Sequence, residues 1–375
     1  MPFPDSDPAP VRGDVLVAGR ADRSWLLGRV WRTPASRVLL LIIGTAALRL
    51  MAAHLMGLGV DESYMVAAGR DLRLGYYDHP PASWWLAWGA SHLFGSEAAI
   101  VVRLPFITLF ALSTWLMYRL AAVLFGPQAG LWAAVTLNLA PVLGVTTASW
   151  VLPDGPLDCA LLGAALCLVH ALPARGRNAL LWWLGAGLCA GLALFSKYTA
   201  LLIMAGAVLY LLTQPQHRRW LLRPEPYLAS GVALLVFAPV LAWNAGHGWT
   251  SFAFQGGRVA ATRFQPFGPI ITMAGEALFL LPWLWLSMML GAVAALLHGP
   301  HAWRSWLLCC LAALPIIVFA LVSAWSRGKV LFHWAVPGYL MLFPILGARV
   351  AEQLARGSRV TRVWLAGSAA FVCIT

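Results

Sequence analysis

The chain has 375 residues, of which 61% are hydrophobic and only 11% are charged, and its mean hydropathy is +0.75. Soluble domains are nearer half apolar and a quarter charged, so these values exclude a soluble globular protein and indicate an integral membrane protein. A net charge of +12 would suit a nucleic-acid partner, but the basic residues are scattered between apolar runs and form no dense tract. The charge therefore reflects membrane topology, and no nucleic-acid partner is predicted.

Residues 1–37 mix proline, aspartate and arginine and lack the apolar core of a signal peptide, so they are predicted to form a cytoplasmic N-terminal tail. Runs long enough to cross a hydrocarbon layer of about 30 Å recur through the remaining domain, 38–375. The eleven candidate spans are 38–56, 98–124, 129–149, 157–173, 179–195, 198–213, 227–243, 271–297, 305–323, 331–349 and 362–375. They predict an all-α polytopic membrane protein.

A cytoplasmic tail places arginine in every predicted inside segment, as the positive-inside rule requires. These arginines are Arg119, Arg175, Arg177, Arg218, Arg219, Arg223, Arg304, Arg356, Arg359 and Arg362. The opposite face then receives a first outer loop, 58–97, and a later outer loop, 244–270. Most of the unusual polar residues collect on that outer face, while the centres of the spans are nearly free of charge.

The first outer loop carries a dense set of acids in "VDESYMVAAGRDLRLGYYDHPP". Asp61 and Glu62 directly follow the first span, where Asp61 either accepts a proton from an incoming nucleophile or merely ends the span. The rest of the loop has apolar residues at near-helical spacing, which predicts one or two amphipathic helices broken by Pro80 and Pro81.

Residues around that break allow several interpretations. Asp78 and His79 would bind a phosphate-linked headgroup, ligate a metal, or cap a turn. Trp84, Trp85 and Trp88 suit the interface between membrane and water.

Two later segments place further charges at the outer face. In "LPDGPLD", Asp154 either orients a bound molecule or caps a helix, and Asp158 lies one turn deeper, where surface decoration explains it less well. Lys197, in "FSKYT", divides an apolar run that is too long for one crossing. A lysine there either snorkels to the interface or pairs with an anion.

The segment "SRGKVLFHW" supplies Arg327, Lys329 and His333 at the start of a span. These cations break the outer-face bias against positive charge, so they either form an anion site or anchor the helix to lipid headgroups. His247 and Arg258 belong to the later outer loop, and their spacing alone assigns them no role.

The ordered set of motifs resembles the bacterial family-39-like glycosyltransferases, which belong to the wider GT-C group with the protein mannosyltransferases and aminoarabinose transferases. It consists of the acidic pair after the first span, "GYYDHPP", "LPDGPLD", "FSKYTA", "GHGWTSFAFQ" and "HWAVPGYL". The resemblance runs from about Asp61 to Tyr339. Each motif is weak alone, whereas the ordered set is specific. The sequence ends at Thr375 inside an apolar run, which fits either a short family member or an incomplete C-terminus.

The resemblance implies a GT-C fold and a transmembrane catalytic domain that uses a sugar carried on a polyprenyl phosphate, without a nucleotide and with no required cofactor. The sugar would pass to a lipid, polysaccharide or protein acceptor at the periplasmic face of the bacterial inner membrane. Direct displacement at the anomeric carbon would invert its configuration. The implied partners are therefore the lipid-linked donor, the acceptor and the surrounding membrane lipids.

The same resemblance distributes the roles within the site. Asp61 would act as the base or orient the acceptor, with Glu62 and Asp154 completing the catalytic set. The positively charged groups expected to meet the carrier phosphate are Lys197 and the pair of Arg327 with Lys329. The full set of implied substrate-binding residues is Asp78, His79, Asp158, Lys197, Tyr198, Arg258, Arg327, Lys329 and His333.

Two departures from the family pattern concern the first loop. Aminoarabinose transferases carry lysine where this chain has His79, so a phosphate contact there is predicted to be weaker and pH dependent. Some relatives hold a divalent metal between the first loop and a later one, and here its ligands would be Asp78 and His247.

Two alternatives come from other classes of protein. A transporter or flippase for lipid-linked sugars would also need a positively charged headgroup site, but it should place ionisable residues near mid-membrane. A noncatalytic scaffold would not need Asp61, Lys197 and Arg327 on one face. The one-sided distribution of charge favours catalysis at a fixed site.

Overall fold

The computed structural model describes residues 33–258, 264–325 and 330–374. Every regular element in these ranges is helical, which confirms the predicted all-α polytopic fold. The predicted cytoplasmic tail, 1–37, falls almost entirely outside the described residues, and its boundaries stay a prediction. The described chain begins where Thr33 caps the first helix, because its Oγ1 accepts a hydrogen bond from Ser36 N over 3.2 Å.

The helices follow one another with short connections. The first half of the chain contains α1 (Pro34–Leu55), α2 (Val60–Gly69), α3 (Ala82–Phe94), α4 (Ala99–Phe125), α5 (Pro127–Leu139), α6 (Asp154–Ala171), α7 (Gly176–Ser196) and α8 (Ala200–Thr213). The second half contains α9 (Pro224–Gly246), α10 (Thr250–Arg258), α11 (Gly268–Leu280), α12 (Pro282–His298), α13 (Trp303–Ser323), α14 (Val336–Leu340), α15 (Phe343–Ala355) and α16 (Arg359–Ile374).

Within the described ranges, seven helices are long and apolar enough to cross a membrane, namely α1, α4, α6, α7, α9, α12 and α13. The other predicted spans are shorter or broken helices. The span predicted at 129–149 changes from α5 into a π-helix at Val142–Thr147, and the span predicted at 331–349 is divided into α14 and α15. The protein is therefore a multi-pass membrane protein built from full-length and partial crossings.

The predicted span 271–297 is two helices, α11 and α12, separated at Leu281, whose φ is 73°. Pro282 follows at the start of α12, and a proline disfavours the helical conformation of the residue before it. Gln265 N, just before α11, donates to Ala324 O at the end of α13 over 2.7 Å. Because α12 ends in the short turn that leads into α13, α11 and α12 together make one crossing antiparallel to α13.

The first outer loop folds into α2 and α3, joined by irregular chain over residues 70–81. Trp84 is completely buried between these helices and α4, and its ring stacks on Tyr76 with 4.2 Å between the centroids. Placing Trp84 at the membrane interface is therefore wrong, because its indole forms the centre of a small core. Trp85 stays 38% exposed, and its Nε1 donates to Arg73 O.

An arginine inside the first span ties α1 to the π-helix. Arg49 donates from Nε to Gly144 O over 3.0 Å and from Nη2 to Asn138 Oδ1 over 3.0 Å. Its guanidinium also lies 4.6 Å from the ring centre of Phe110. A backbone carbonyl of the π-helix and a side-chain amide oxygen thus satisfy the charge of Arg49 within the first span, and the chain leading to Asp154 is fixed from one side.

Candidate active site

A buried ion pair fixes the start of α2 against α4. Arg103 donates from Nε to Glu62 Oε1 over 2.8 Å and from Nη2 to Oε2 over 2.5 Å. Gly59 N and Val151 N donate to the same carboxylate over 2.8 and 3.1 Å. Burial raises the pKa of Glu62, but the bonds from Arg103 and the two backbone groups outweigh it and hold the pKa below its usual value.

The structure therefore gives Glu62 a positioning role instead of the catalytic role predicted for it. Glu62 is only 1% exposed, and its carboxylate already accepts four hydrogen bonds. A substrate hydroxyl therefore cannot reach it to transfer a proton. The pair instead sets where α2 begins and hence where the neighbouring Asp61 lies.

Asp61 occupies the first turn of α2 with its side chain exposed. Within the part of the chain that the structure describes, its carboxylate makes no hydrogen bond or ion pair. Its negative charge acts on His333 from a distant part of the sequence, so the two residues face the same space. Asp61 is thus held in place while its oxygens stay open to an incoming group.

Lys197 and Asp154 form a buried ion pair next to this space. Lys197 Nζ donates to Asp154 Oδ1 over 2.8 Å, and the two side chains are 7% and 13% exposed. Asp154 begins α6, and Lys197 directly follows the last residue of α7. Of the two interpretations of Lys197, the structure favours pairing with an anion over snorkelling. An ammonium group has three hydrogens, so two remain for a ligand.

Asp158 lies one turn along α6 from Asp154. It is 2% exposed, and neither carboxylate oxygen has a hydrogen-bond partner among the described residues. A carboxyl group at this depth is costly unless it is protonated or meets a polar ligand. Its position supports the predicted contact with a substrate.

His79 and His333 complete the cluster. The charges of Lys197, Asp154 and Arg258 act on both imidazoles, which places five predicted residues around one space. Burial, with the positive charge of Lys197 second, lowers the pKa of His79 to about 3. The lowered pKa favours an uncharged imidazole, so a contact between His79 and a phosphate would be a neutral hydrogen bond, and that contact stays a prediction. Its buried Nδ1, which has no partner among the described residues, is available to a neutral hydrogen bond.

We expect His79→Gln to leave the shape of the pH–activity profile unchanged between about pH 5 and 8. The wild-type imidazole is already neutral above about pH 3, so no charge is lost in the variant. The pKa of His79 in the folded protein lies below its unfolded value of about 6.5. The wild-type free energy of unfolding should therefore be highest above about pH 6.5, with respect to this group, and decrease as the pH falls below it. Melting temperatures measured against pH should therefore fall less steeply for the variant. If wild-type activity changes near pH 6.5 and this change is absent from His79→Gln, a neutral His79 would be contradicted.

Asp78 lies at the edge of the cluster, and the metal hypothesis depends on it. Tyr64 Oη donates to Asp78 Oδ1 over 3.1 Å, the side-chain amide of Gln255 donates to Asp78 O, and burial raises the pKa of Asp78. His247 is exposed, stacks on Trp243, and its Nδ1 lies 2.7 Å from Trp243 O. Across residues 33–258, 264–325 and 330–374, no three His, Cys, Asp or Glu side chains gather to hold a metal ion. The structure thus gives the Asp78 and His247 metal site no support.

Helix α10 lies against the cluster: it carries Arg258 and contacts one further predicted residue, Tyr198. Tyr198 Oη and Ser251 Oγ share a hydrogen bond of 2.7 Å. The guanidinium of Arg258 lies 4.6 Å from the ring centre of Trp334, and its charge acts on Asp78. Both residues are half-buried, so their polar atoms line the approach from the later outer loop.

Two predicted positively charged residues are not placed, and one important arginine was not predicted. Arg327 and Lys329 fall in 326–329, outside the described residues, and their contact with a carrier phosphate stays a prediction. Sequence reasoning missed Arg103, the partner of Glu62. The available signal was the one used for Lys197, a single basic residue inside an apolar run, here "AAIVVRLPF".

The chain is similar to known proteins in sequence and in overall fold. Residues 78–243 match the family described as dolichyl-phosphate-mannose-protein mannosyltransferase. A lipid A galacturonosyltransferase from Rhizobium johnstonii is 26% identical over 296 residues, which cover 75% of this chain and 58% of that relative. The chain thus spans about three fifths of the length of the relative it matches.

Solved structures share the architecture. ArnT from Cupriavidus metallidurans superposes with a TM-score of 0.63 in the apo state, at 18% identity, over 84% of this chain and 60% of that chain. The same enzyme bound to undecaprenyl phosphate gives a TM-score of 0.64 at 18% identity, over 89% of this chain and 63% of that chain. The oligosaccharyltransferase AglB from Archaeoglobus fulgidus superposes with a TM-score of 0.53 at 13% identity, over 88% of this chain and 54% of that chain.

The described residues form a polytopic membrane protein with a GT-C fold. The resemblance drawn from the ordered sequence motifs is thereby confirmed: the chain is similar in sequence to a mannosyltransferase family and to a lipid A galacturonosyltransferase, and in fold to ArnT.

Proposed function

We propose that this protein transfers a sugar from a polyprenyl-phosphate carrier to an acceptor at the membrane surface. One observation carries the proposal. The open carboxylate of Asp61, the Lys197–Asp154 pair and two histidines lie together, and an apolar cavity begins one helical turn beyond Asp158. A carboxylate base, an anion site and an apolar groove are the three parts that such a reaction requires.

The cavity has a volume of about 420 Å³ and lies among α6, α7, α8 and α9. Its lining residue Leu161 follows Asp158 of the cluster by one helical turn, and its lining residue Leu201 lies in the first turn of α8, just after Lys197. The lining is almost wholly apolar, so its surface suits an isoprenoid chain. A carrier lying in this cavity would hold its phosphate at the polar end.

The proposed reaction is a direct displacement. Asp61 accepts the proton of an acceptor hydroxyl, whose oxygen bonds to the anomeric carbon as the bond from that carbon to the phosphate oxygen breaks. The electron pair leaves with the polyprenyl phosphate, and the anomeric configuration inverts. Lys197 and Arg258 stabilise the negative charge that grows on the phosphate, which is the largest electrostatic demand of the step.

The proposed location is the bacterial inner membrane, with the N-terminus in the cytoplasm and the site at the periplasmic face. The arginine distribution of the short connections supports this orientation. We propose a glycolipid as the acceptor, because the curated relative is a lipid A galacturonosyltransferase. The matched family is named for protein acceptors, so proteins belong in the same test.

The test is a panel of radiolabelled polyprenyl-phosphate sugars and nucleotide sugars, offered to purified protein in proteoliposomes with lipid A or a protein extract, with and without EDTA. The expected result is transfer from one lipid-linked donor, unaffected by EDTA, and no transfer from nucleotide sugars. Transfer from a nucleotide sugar would overturn the proposal. Movement of the intact lipid-linked sugar between leaflets, without any transfer, would establish the flippase alternative.

Filling the apolar cavity should weaken use of long carriers. Ala164 lines the cavity, so Ala164→Phe should raise the KM for a long polyprenyl-phosphate donor about 10-fold or more, because the cavity loses space for several methylene groups. A short-chain donor should be affected much less. The matched control is Ala47→Phe on the lipid-facing side of α1, which should leave both KM values unchanged. Equal KM changes for long and short donors would place the carrier chain elsewhere.

A further inference from the structure

A second cavity lies between α12, α15 and α16, at the end of the bundle away from the candidate active site. Its volume is about 370 Å³. Helix α4 starts beside the site, where Arg103 meets Glu62, and ends at Phe125 on the opposite side. Helix α15 packs there, because Gly347 lies directly against Ala129 and Ala133 just beyond the end of α4. The second cavity is therefore separate from the site that would bind the carrier phosphate.

Arg349 supplies the charge of this cavity. Its Nε is buried and donates to no acceptor among the described residues. The stem of the side chain lies over Gly291 of α12, where a Cβ atom would approach Arg349 Cδ to 3.1 Å. Among the described residues that line the cavity there is no aspartate or glutamate. The nearest acid in sequence, Glu352, is exposed and pairs with Arg356 over 2.5 Å.

Neutral polar groups surround the guanidinium. Gln353 Oε1 accepts a hydrogen bond from Thr361 Oγ1 over 2.7 Å, which orients the amide and leaves its two N–H groups as donors. Thr361 Oγ1 also bonds to Ser358 Oγ over 3.0 Å. The cavity is therefore rich in donors and carries one positive charge, a composition that suits a phosphate oxygen better than a positively charged group.

The remaining wall is apolar and exposed. Leu286, Leu290 and Val360 line the cavity with 53%, 51% and 75% of their surfaces exposed, and Trp364 lies beside them. In a multi-pass membrane protein such a surface faces lipid chains. The hydrogen-bond donors on one wall suit the headgroup phosphate of a phospholipid, and the exposed apolar side chains on the other wall suit its acyl chains.

We propose that this cavity binds the phosphate group of an anionic phospholipid through Arg349 and Gln353. The described lining offers Arg349 and no acid, which favours an anionic headgroup over a zwitterionic one, because a headgroup ammonium would find no counter-charge there. A free phosphate ion shares the charged part of this chemistry, but it would leave the exposed apolar wall unused. The inference is independent of the glycosyl-transfer reaction.

The test compares melting temperatures of the purified full-length protein in nanodiscs of phosphatidylcholine, with and without about one fifth phosphatidylglycerol. We expect phosphatidylglycerol to raise the melting temperature of wild type by a few degrees. Arg349→Gln should lose most of this shift, whereas Arg349→Lys should keep part of it. The matched control is Arg356→Gln, which removes an exposed arginine from the same helix end and should keep the full shift.

Two further arms complete the test. Inorganic phosphate added to pure phosphatidylcholine nanodiscs should produce no comparable shift, and an equal shift would show that the site takes a free anion and overturn the lipid assignment. If Arg349→Gln does not fold, Gln353→Met serves instead and should lose part of the phosphatidylglycerol shift. A full shift in whichever of these variants is folded would overturn the proposal.

Discussion

Asp61→Asn is expected to lower the turnover number for sugar transfer by about 10²- to 10⁴-fold, the range typical of losing a general base. The amide keeps the size and most hydrogen bonds of the carboxylate but cannot accept the proton of the acceptor hydroxyl. Because Asp61 is exposed and makes no hydrogen bond or ion pair within the described chain, the substitution should leave the fold and carrier binding intact. Transfer kinetics and binding of a labelled polyprenyl phosphate should be measured on the same preparation.

The matched control is Asp71→Asn. Asp71 lies in the same outer loop and is exposed, but its carboxylate pairs with Arg73 over 2.5 Å. Turnover by this variant should stay within about twofold of wild type, since an exposed pair contributes little. Wild-type turnover in Asp61→Asn would remove Asp61 from the mechanism. Equal losses in both variants would indicate a general effect of loop charge.

Glu62→Gln is expected to destabilise the protein by about 3–5 kcal/mol, the usual cost of leaving one member of a buried ion pair without its partner. Arg103 would keep its charge with only the carbonyl oxygens of Met56 and Gly57 as strong acceptors. The start of α2 would also lose its fixed position, so transfer should decline together with stability. Thermal unfolding in detergent measures the first effect, and transfer below the melting temperature measures the second.

A second arginine–glutamate pair in the same region provides the control. Arg70 Nη2 lies 2.6 Å from Glu97 Oε2, but the two side chains are 67% and 39% exposed. Glu97→Gln should therefore leave the melting temperature nearly unchanged. Glu62→Leu combined with Arg103→Leu should recover part of the stability, because neither charge then remains buried alone. A melting temperature of Glu62→Gln equal to that of Glu97→Gln would show that burial of the first pair has no energetic consequence.

Hydrophobic length predicted most of the fold. Apolar runs of about 20 residues located the long crossings, since lipid requires each span to satisfy its own backbone hydrogen bonds. The same signal could not divide 271–297, because the break depends on one proline and on the conformation of Leu281. Aromatic character placed Trp84 at the interface, whereas contacts with Tyr76 and α4 bury it. Composition alone does not distinguish an interfacial tryptophan from a core tryptophan.

Single charged residues in apolar surroundings predicted much of the candidate site. Lys197 and Asp154 were each identified from sequence, but their pairing depends on how the end of α7 meets the start of α6. The role of Glu62 was beyond sequence reasoning because it depends on Arg103 and on the backbone of Val151. The low pKa of His79 follows from burial, which its position in a polar motif did not reveal.

The most direct measurement of the proposed chemistry is the stoichiometry and stereochemistry of a single reaction. Purified wild-type protein in proteoliposomes would receive the active polyprenyl-phosphate sugar, and glycoside formed and polyprenyl phosphate released would be counted together. Displacement at the anomeric carbon predicts equal amounts of the two products and an inverted anomeric configuration in the glycoside. A retained configuration, or lipid-linked sugar that crosses the bilayer without releasing polyprenyl phosphate, would contradict it.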